Sequence, residues 1–262
     1  MFLIALNGHS AGAPHQRQFQ AGWDMAPRLP SLDGTPIGFG HRGAMAEAPE
    51  NTIESFELAV SKGASGIETD VWCTADNIAV LSHDGRVGSK LRRRAIRALT
   101  QQELPEHIPS ADDLYRSIGT VMPLSIDVKE PAAFEPLIAA ARQAGPEAES
   151  NLWICHPSVK QLMEWRGQTT ANLVNSTRLA KIDEGAERRA ARLASSGIEA
   201  INLFHSDWTG GLISLFHRFG RRAFGWGLQH EREFAVLVDA GIDAVYSDHV
   251  DRMMAAINEY YH

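Results

Sequence analysis

From Ile37 to its end the chain alternates short apolar runs with amphipathic stretches, and this alternation limits the fold more than any single motif. Ile37 to Gly40, Gly66 to Val71, Pro123 to Val128, Leu152 to Cys155, Ala171 to Asn175, Ala200 to Phe204, Arg222 to Trp226 and Ala244 to Ser247 read as strands. A stretch of helical period follows each of them. After the first, Asn51 is expected as N-cap with Glu54 as its capping-box partner; Ile53, Phe56, Ala59 and Val60 form the apolar stripe and Gly63 stops the helix. Further helices are expected over Ala111 to Ser117, Ala132 to Ala144, Ser158 to Trp165, Glu184 to Ser195, Thr209 to Phe219, Glu231 to Ala240 and Val250 to Tyr260. With Ile78 to Ser82 as an accessory strand on the second loop, the count is eight strand–helix units. Such alternation implies a parallel sheet, and eight units predict an α/β protein of the (β/α)8 TIM-barrel type. No G-x-G-x-x-G follows the first strand, which weighs against a dinucleotide fold.

The length of 262 residues and an apolar content of 44% suit a single barrel domain over 36–262. Residues 1–35 show no period and read as a loosely ordered extension, so His9 and His15 are poor ligand candidates; the regular pattern begins just after Met25, which reads as a possible natural start. The apolar N-terminus lacks a basic region and no run is long enough to span a membrane, so a cytoplasmic protein is expected. The formal charge of −7 offers no basic stripe to a nucleic acid. One local basic cluster, Lys90, Arg92, Arg93, Arg94 and Arg97, reads as solvated surface or as an anion contact near a site mouth. Cys73 and Cys155 match no disulfide framework or zinc spacing and are expected to be buried thiols.

Polar residues gather at the strand ends, where barrel sites form. His41 and Arg42 end the first strand, Glu68 and Asp70 lie late in the second, His83 ends the accessory run, and Asp127 and Lys129 end the third. Trp226 ends the seventh and Asp248 follows the eighth. Residues two apart on a strand share a face, so Glu68 and Asp70 repel unless a cation or a shared proton intervenes. Three carboxylates, Glu68, Asp70 and Asp127, are hard oxygen donors suited to Mg²⁺ or Ca²⁺, with Mn²⁺ possible. Arg42 forks onto a phosphate, Lys129 supplies a point charge, and two histidines can pass protons to and from a phosphodiester. A plain set of barrel salt bridges, Glu68 with Arg42 and Asp127 with Lys129, is the structural alternative. A Schiff-base role for Lys129 is disfavoured, since three acids raise its pKa. Glu50 and Asn51 either orient His41 or Arg42, or serve the helix N-terminus. Asp248 is expected to order the loop before the last helix, and His156 and His205 are loop or pocket residues.

With these residues in view, the sequence resembles the glycerophosphodiester phosphodiesterase family. The resemblance lies in HRG at His41–Gly43, PENT at Pro49–Thr52, IETDV at Ile67–Val71, SHD at Ser82–Asp84, IPSADDLY from Ile108, SIDVK ending at Lys129, and Trp226 with the GIDAVYSDHVDRM tail. It covers roughly residues 36–258. The resemblance implies a barrel that hydrolyses glycerophosphodiesters to an alcohol and glycerol 3-phosphate. It implies His41 and His83 as the acid–base pair, Glu68, Asp70 and Asp127 as metal ligands, and Arg42 and Lys129 as phosphate contacts, with Trp226 lining the pocket. Position 127 is Asp where the family usually carries Glu, LRRRAIR replaces a threonine-rich stretch after His83, and Gly-Leu follows Trp226 in place of Thr-Val. The alternatives are phospholipase D-type cleavage of lysophospholipids or sphingomyelin, and a non-catalytic phosphate- or lipid-binding barrel. The partner implied is a small-molecule diester, and the sequence leaves the oligomeric state open.

Overall fold

The computed structural model describes residues 29–89 and 92–261. Eight parallel strands form the barrel: β1 Ile37–Gly40, β2 Gly66–Cys73, β3 Leu124–Val128, β4 Leu152–His156, β5 Asn172–Ser176, β6 Ala200–Phe204, β7 Arg222–Trp226 and β8 Ala244–Ser247. Each pairs with the next, and β8 returns to β1 with Ile37 opposite Ala244, so the sheet closes. Helices α1 Ile53–Ser61, α2 Ala111–Ile118, α3 Phe134–Ala144, α4 Val159–Arg166, α5 Ala186–Ser195, α6 Gly210–Arg218, α7 Glu231–Asp239 and α8 Val250–Tyr261 follow the strands in turn. The expected accessory strand is Ala79–Leu81, antiparallel to the end of β2 with Val71 opposite Leu81. The described residues thus form the expected (β/α)8 barrel. No helix among the described residues is long and apolar enough to cross a membrane.

The barrel closes because alternate strand residues point inward and fill it. Phe39, Trp153, Cys155, Val174, Ala200, Phe224, Ala244 and Tyr246 form that inner cluster. Phe39 stacks on Tyr246 at 4.9 Å. Burial of a Phe such as Phe39 or Phe224, both fully covered, contributes roughly 1.5–3 kcal/mol each. Ser125 Oγ reaches into this core, 2.9 Å from Tyr246 Oη and 3.4 Å from Cys155 Sγ. The opposite strand faces meet the helices in a larger cluster that includes Phe56, Leu137, Leu193, Phe216 and Phe234.

Several boundaries differ from expectation for identifiable reasons. The cap of α1 is Thr52, extended at φ −113° and accepting from Ser55 N, whereas Asn51 sits at φ 56° and turns its amide toward β2. Helix α5 begins at Ala186, after Gly185 breaks the backbone at φ 83°, and Glu184 pairs with Arg189 instead. The connection after His83 has its own core: Ile96, Leu99 and Leu104 pack on Val80 beneath a ribbon of Arg86–Val87 and Arg94–Ala95. Residues 1–28 of the expected extension lie outside the described residues, as does Lys90. Residues 29–33 lie across the N-terminal end of the barrel, where Leu29 N donates to Asp239 O at 3.2 Å and Leu32 N to Asp243 Oδ1 at 2.6 Å. Asp33 pairs there with Arg222.

Candidate active site

The C-terminal strand ends surround a cavity of about 430 Å³ lined by His41, Arg42, Glu68, Asp70, His83, Asp127, Lys129, Trp226 and Asp248, among others. Of the eleven residues that the sequence placed at the strand ends or beside them, nine therefore reach one space. The other two, Glu50 and Asn51, lie behind it. The H-R-G turn that starts the site is locked onto α1. Arg42 has a left-handed backbone, φ 51°, which directs its N–H to Glu68 Oε2 at 2.9 Å, and its carbonyl accepts from Ser55 Oγ at 3.0 Å. Gly43 follows at φ 83°, and a Cβ there would stand 2.4 Å from Ser55 Oγ, so only glycine fits.

Each charged side chain in the site is held by another. Arg42 Nη1 donates to Glu50 Oε2 at 2.6 Å, and its Nε lies 3.4 Å from Asp70 Oδ2. That Nε is buried and has no hydrogen-bond acceptor among the described residues. Asn51 Nδ2 donates to Asp70 Oδ2 at 3.1 Å while its Oδ1 accepts from Thr69 Oγ1 at 2.6 Å, so a buried amide fixes the Asp70 carboxylate. Asp70 and Asp127 are register partners on β2 and β3. Lys129 Nζ bridges them, at 2.7 Å from Asp70 Oδ1 and 2.9 Å from Asp127 Oδ2. The expected Asp127–Lys129 pair is present, but Glu68 meets the backbone of Arg42 rather than its guanidinium.

His41 shows what the sequence did not reveal. Its Nδ1 lies 2.6 Å from Asp248 Oδ1, and its Nε2 lies 3.8 Å from Glu68 Oε2. Asp248, expected to order a loop, orients a histidine 207 residues away, and Gln229 Nε2 holds its other oxygen at 2.9 Å. A carboxylate only accepts, so Nδ1 carries the proton in this bond and Nε2 is the nitrogen free to exchange one. His83 is more open, with Nδ1 at 3.2 Å from Asp84 Oδ1. Its backbone carbonyl accepts from Trp72 Nε1 at 3.4 Å. Asp84 is also held by Arg93 at 2.5 Å, and Arg94 pairs with Glu103. His156 accepts from Ser158 N at 3.1 Å and His205 lies 4.0 Å from Glu233; neither lines the cavity. Cys73 and Cys155 are buried free thiols, as expected.

The electrostatics follow from this crowding. Burial pushes the Glu68 carboxyl up to about 7; the charge of His41 opposes this, and the Asp70 and Asp127 carboxylates push it further. Burial disfavours the His41 imidazolium, but Glu68 and the bond to Asp248 outweigh it, so its pKa is raised. Burial likewise works against the Lys129 ammonium, yet Asp127 and Asp70 hold its pKa above the ordinary lysine value. Asp248 is lowered: burial opposes its charge, but the bond from His41 prevails. Among the described residues no three His, Cys, Asp or Glu side chains stand together as a set able to hold a metal ion. The ammonium of Lys129 takes the bridging place between two of the carboxylates. The donor chemistry nonetheless fits a hard dication: all three donors are carboxylates, and the buried Glu68 is destabilised as an anion beside the other two.

A parallel barrel whose strand ends gather three carboxylates, two histidines, an arginine and a lysine is equipped to bind an anion and move protons around it. Comparison with known proteins makes this more specific. Residues 41–114 match the model of the glycerophosphoryl diester phosphodiesterase family. A mouse protein, glycerophosphodiester phosphodiesterase domain-containing protein 4, is 50% identical over 54 residues, which is 21% of this chain and 8% of that protein. The glycerophosphodiester phosphodiesterase of Caldanaerobacter subterraneus subsp. tengcongensis is 22% identical over 241 residues, 84% of this chain and 96% of that one. An Oleispira antarctica phosphodiesterase, solved in complex with the product sn-glycerol-3-phosphate, superimposes with a TM-score of 0.75 at 20% identity, covering 86% of this chain and 97% of that one. The family match thus lies on residues 41–114, which carry His41, Arg42, Glu68, Asp70 and His83, and the likeness to the solved phosphodiesterase extends the shared barrel fold over most of the chain.

Proposed function

We propose that the chain hydrolyses glycerophosphodiesters to an alcohol and glycerol 3-phosphate, using His41 and His83 for proton transfer and a divalent cation, Mg²⁺, Ca²⁺ or Mn²⁺, as cofactor. The observation that carries this reading is the meeting of His41, His83, Arg42, Lys129 and three carboxylates in one cavity. The ligand named for the Oleispira antarctica structure supports glycerol 3-phosphate as the product.

The diester is an anion that repels nucleophiles, so its cationic neighbours must first lower that barrier. Arg42 is held by Glu50 with its buried Nε lacking an acceptor, and Lys129 keeps its proton between Asp70 and Asp127. Both charges are therefore in place before substrate arrives, and a phosphate oxygen completes their partners. His41, with Nδ1–H fixed on Asp248, accepts a proton at Nε2 from the water whose oxygen bonds to phosphorus. His83, on the accessory strand's end and open to the cavity, returns a proton to the departing alkoxide. Glu68 and Asp70, with Asp127, would hold the cation, which supplies Lewis-acid stabilisation of the phosphate charge.

The connection after His83 favours a small, water-soluble diester over an acyl-bearing lipid. Its apolar residues Ile96, Leu99 and Leu104 turn inward, while Arg92, Arg93, Arg94 and Arg97 face solvent. The test is release of glycerol 3-phosphate from a panel of glycerophosphodiesters with each metal in turn. Turnover that stops on chelation is expected; folded protein that turns over none of the pairs overturns the proposal.

A further inference from the structure

A second cavity, also of about 430 Å³, adjoins the first, and His83 stands on the wall of both. The turn before α1 contributes Glu50 and Asn51 to it, and the connection after His83 contributes Arg86, Val87 and His107. Its floor is apolar: Leu81 is buried, and Val87 and Ile108 pack on the cluster of Val80 and Ile96. The chemistry proposed above uses His83 and, through Arg42, Glu50; it leaves Arg86 and His107 without a part.

The charge balance of this cavity favours an anion. Glu50 is the carboxylate on its wall, and Arg42 Nη1 already holds it at 2.6 Å. Arg86 is exposed, and its Nη2 donates to the Arg93 carbonyl at 2.9 Å, which fixes the guanidinium on the ribbon. No carboxylate pairs with it among the described residues. Arg93 and Arg94 are taken by Asp84 and Glu103, and Arg92 and Arg97 line neither cavity. The ribbon that carries Arg86 turns at Gly88, φ 105°, where a Cβ would stand 2.7 Å from the Arg92 carbonyl oxygen, so the turn is closed to other residues. An arginine with most of its donors free, an imidazole on the same wall and an apolar floor suit an anion carried on a carbon frame.

We propose that the head group of the diester bears a second anion, a phosphate or a carboxylate, and that this cavity seats it on Arg86 with His107 on the same wall. The assignment rests on the glycerophosphodiester reading above and narrows it to one class of head group. The glycerol end of such a diester has no charge of its own, so an anion here belongs to the other end. His83, the proton donor proposed for that end, stands on the shared wall. Arg86 follows His83 by three residues, a backbone reach of no more than roughly 11 Å, so an anion one six-membered ring away from the scissile ester fits the span.

The experiment compares kcat/KM on glycerophosphoinositol and glycerophosphoinositol 4-phosphate, which differ by one phosphate, by glycerol 3-phosphate release under one metal. The wild type is expected to favour the phosphorylated diester by roughly tenfold or more, the worth of a charge-assisted hydrogen bond. Arg86→Gln brings the ratio to about one by raising KM for the phosphorylated diester, and Arg97→Gln, which removes an equal charge from the same connection, keeps the wild-type ratio. Equal rates on the two diesters in the wild type overturn the proposal, as does an equal fall of the ratio in both variants, which would mark a diffuse field in place of a seat. Calorimetric titration with myo-inositol 4-phosphate and with inorganic phosphate decides the site independently of turnover. Saturable binding of the inositol phosphate, weakened about tenfold by Arg86→Gln and unchanged by Arg97→Gln, is expected. Inorganic phosphate that binds as tightly and loses as much through Arg86→Gln marks a site for free phosphate and overturns the head-group assignment. If folded wild type turns over neither diester, the hydrolytic reading fails while the titration still decides the anion site.

Discussion

The two sides of the cavity differ in what their strands deliver. The ends of β1 to β3 bring His41, Arg42, Glu68, Asp70, Asp127 and Lys129, each tied to a charged or amide partner. The ends of β5 to β8 bring Ser176, Asn202, Trp226 and Gln229, neutral side chains of which two amide oxygens are buried without a donor among the described residues. One half is preorganised around charge before any ligand arrives, and the other is lined mainly by neutral side chains. Asp248 is the exception that joins them, reaching from the end of β8 to His41 while Gln229 holds its second oxygen. The difference teaches that the charge needed for the chemistry is concentrated on one arc, so substitutions there should lower turnover most.

The largest effect expected in the charged arc is from His41→Ala, which should lower kcat by about 10²–10⁴-fold, since general acid–base catalysis is worth that much. Steady-state rates check this, and a loss under tenfold would place the proton transfer elsewhere. Lys129→Met should lower kcat/KM by roughly 10²–10³-fold through loss of one charge on the anion. It should also tighten metal binding, because the ammonium that bridges Asp70 and Asp127 no longer competes. Calorimetry with Mg²⁺ or Mn²⁺ reads the second effect, and unchanged affinity would remove these carboxylates from the ligand set.

Asp248→Asn tests the bridge between the arcs. The amide oxygen still accepts from Nδ1–H, but the charge that supports the imidazolium is gone. A fall in kcat of about 10–100-fold with little change in KM is expected, as for other partners that orient a catalytic group. A change in KM alone would return Asp248 to a loop-ordering role.

The smallest effect concerns protons. Glu68 titrates at about 7 in the folded protein, above its ordinary 4.5, so the native state holds an extra proton between these values. Its contribution to stability is therefore present at low pH and declines as pH rises from about 4.5 through about 7. A cation on Glu68 must displace that proton at pH 6 and finds it already gone at pH 8.5. Calorimetry in buffers of different ionisation enthalpy should show close to one proton released at pH 6 and nearly none at pH 8.5. Equal release at both would contradict this role for Glu68.

The same division governs what could be read from the sequence. Acids, histidines, Arg42 and Lys129 at strand ends are conspicuous because a core has no use for them, and the short apolar runs alternating with helical period placed those ends to within two residues. Thr52 was missed as the cap of α1 because Asn51 is equally good on local grounds; only the fold shows its amide committed to Thr69 and Asp70. Asp248 was given a local role because its partner lies across the barrel closure, a contact with no local signature. Asn202 and Gln229 carried no signal at all. A neutral amide is ordinary in any sequence, and its place on the cavity wall is set only by the fold.

The most direct test follows the phosphorus. ³¹P NMR of a glycerophosphodiester with the protein and Mg²⁺ should show glycerol 3-phosphate as the phosphorus-bearing end product, formed by the wild type and not measurably by His41→Ala. Release of glycerol with the phosphate left on the head group, or equal turnover by wild type and variant, would contradict the account.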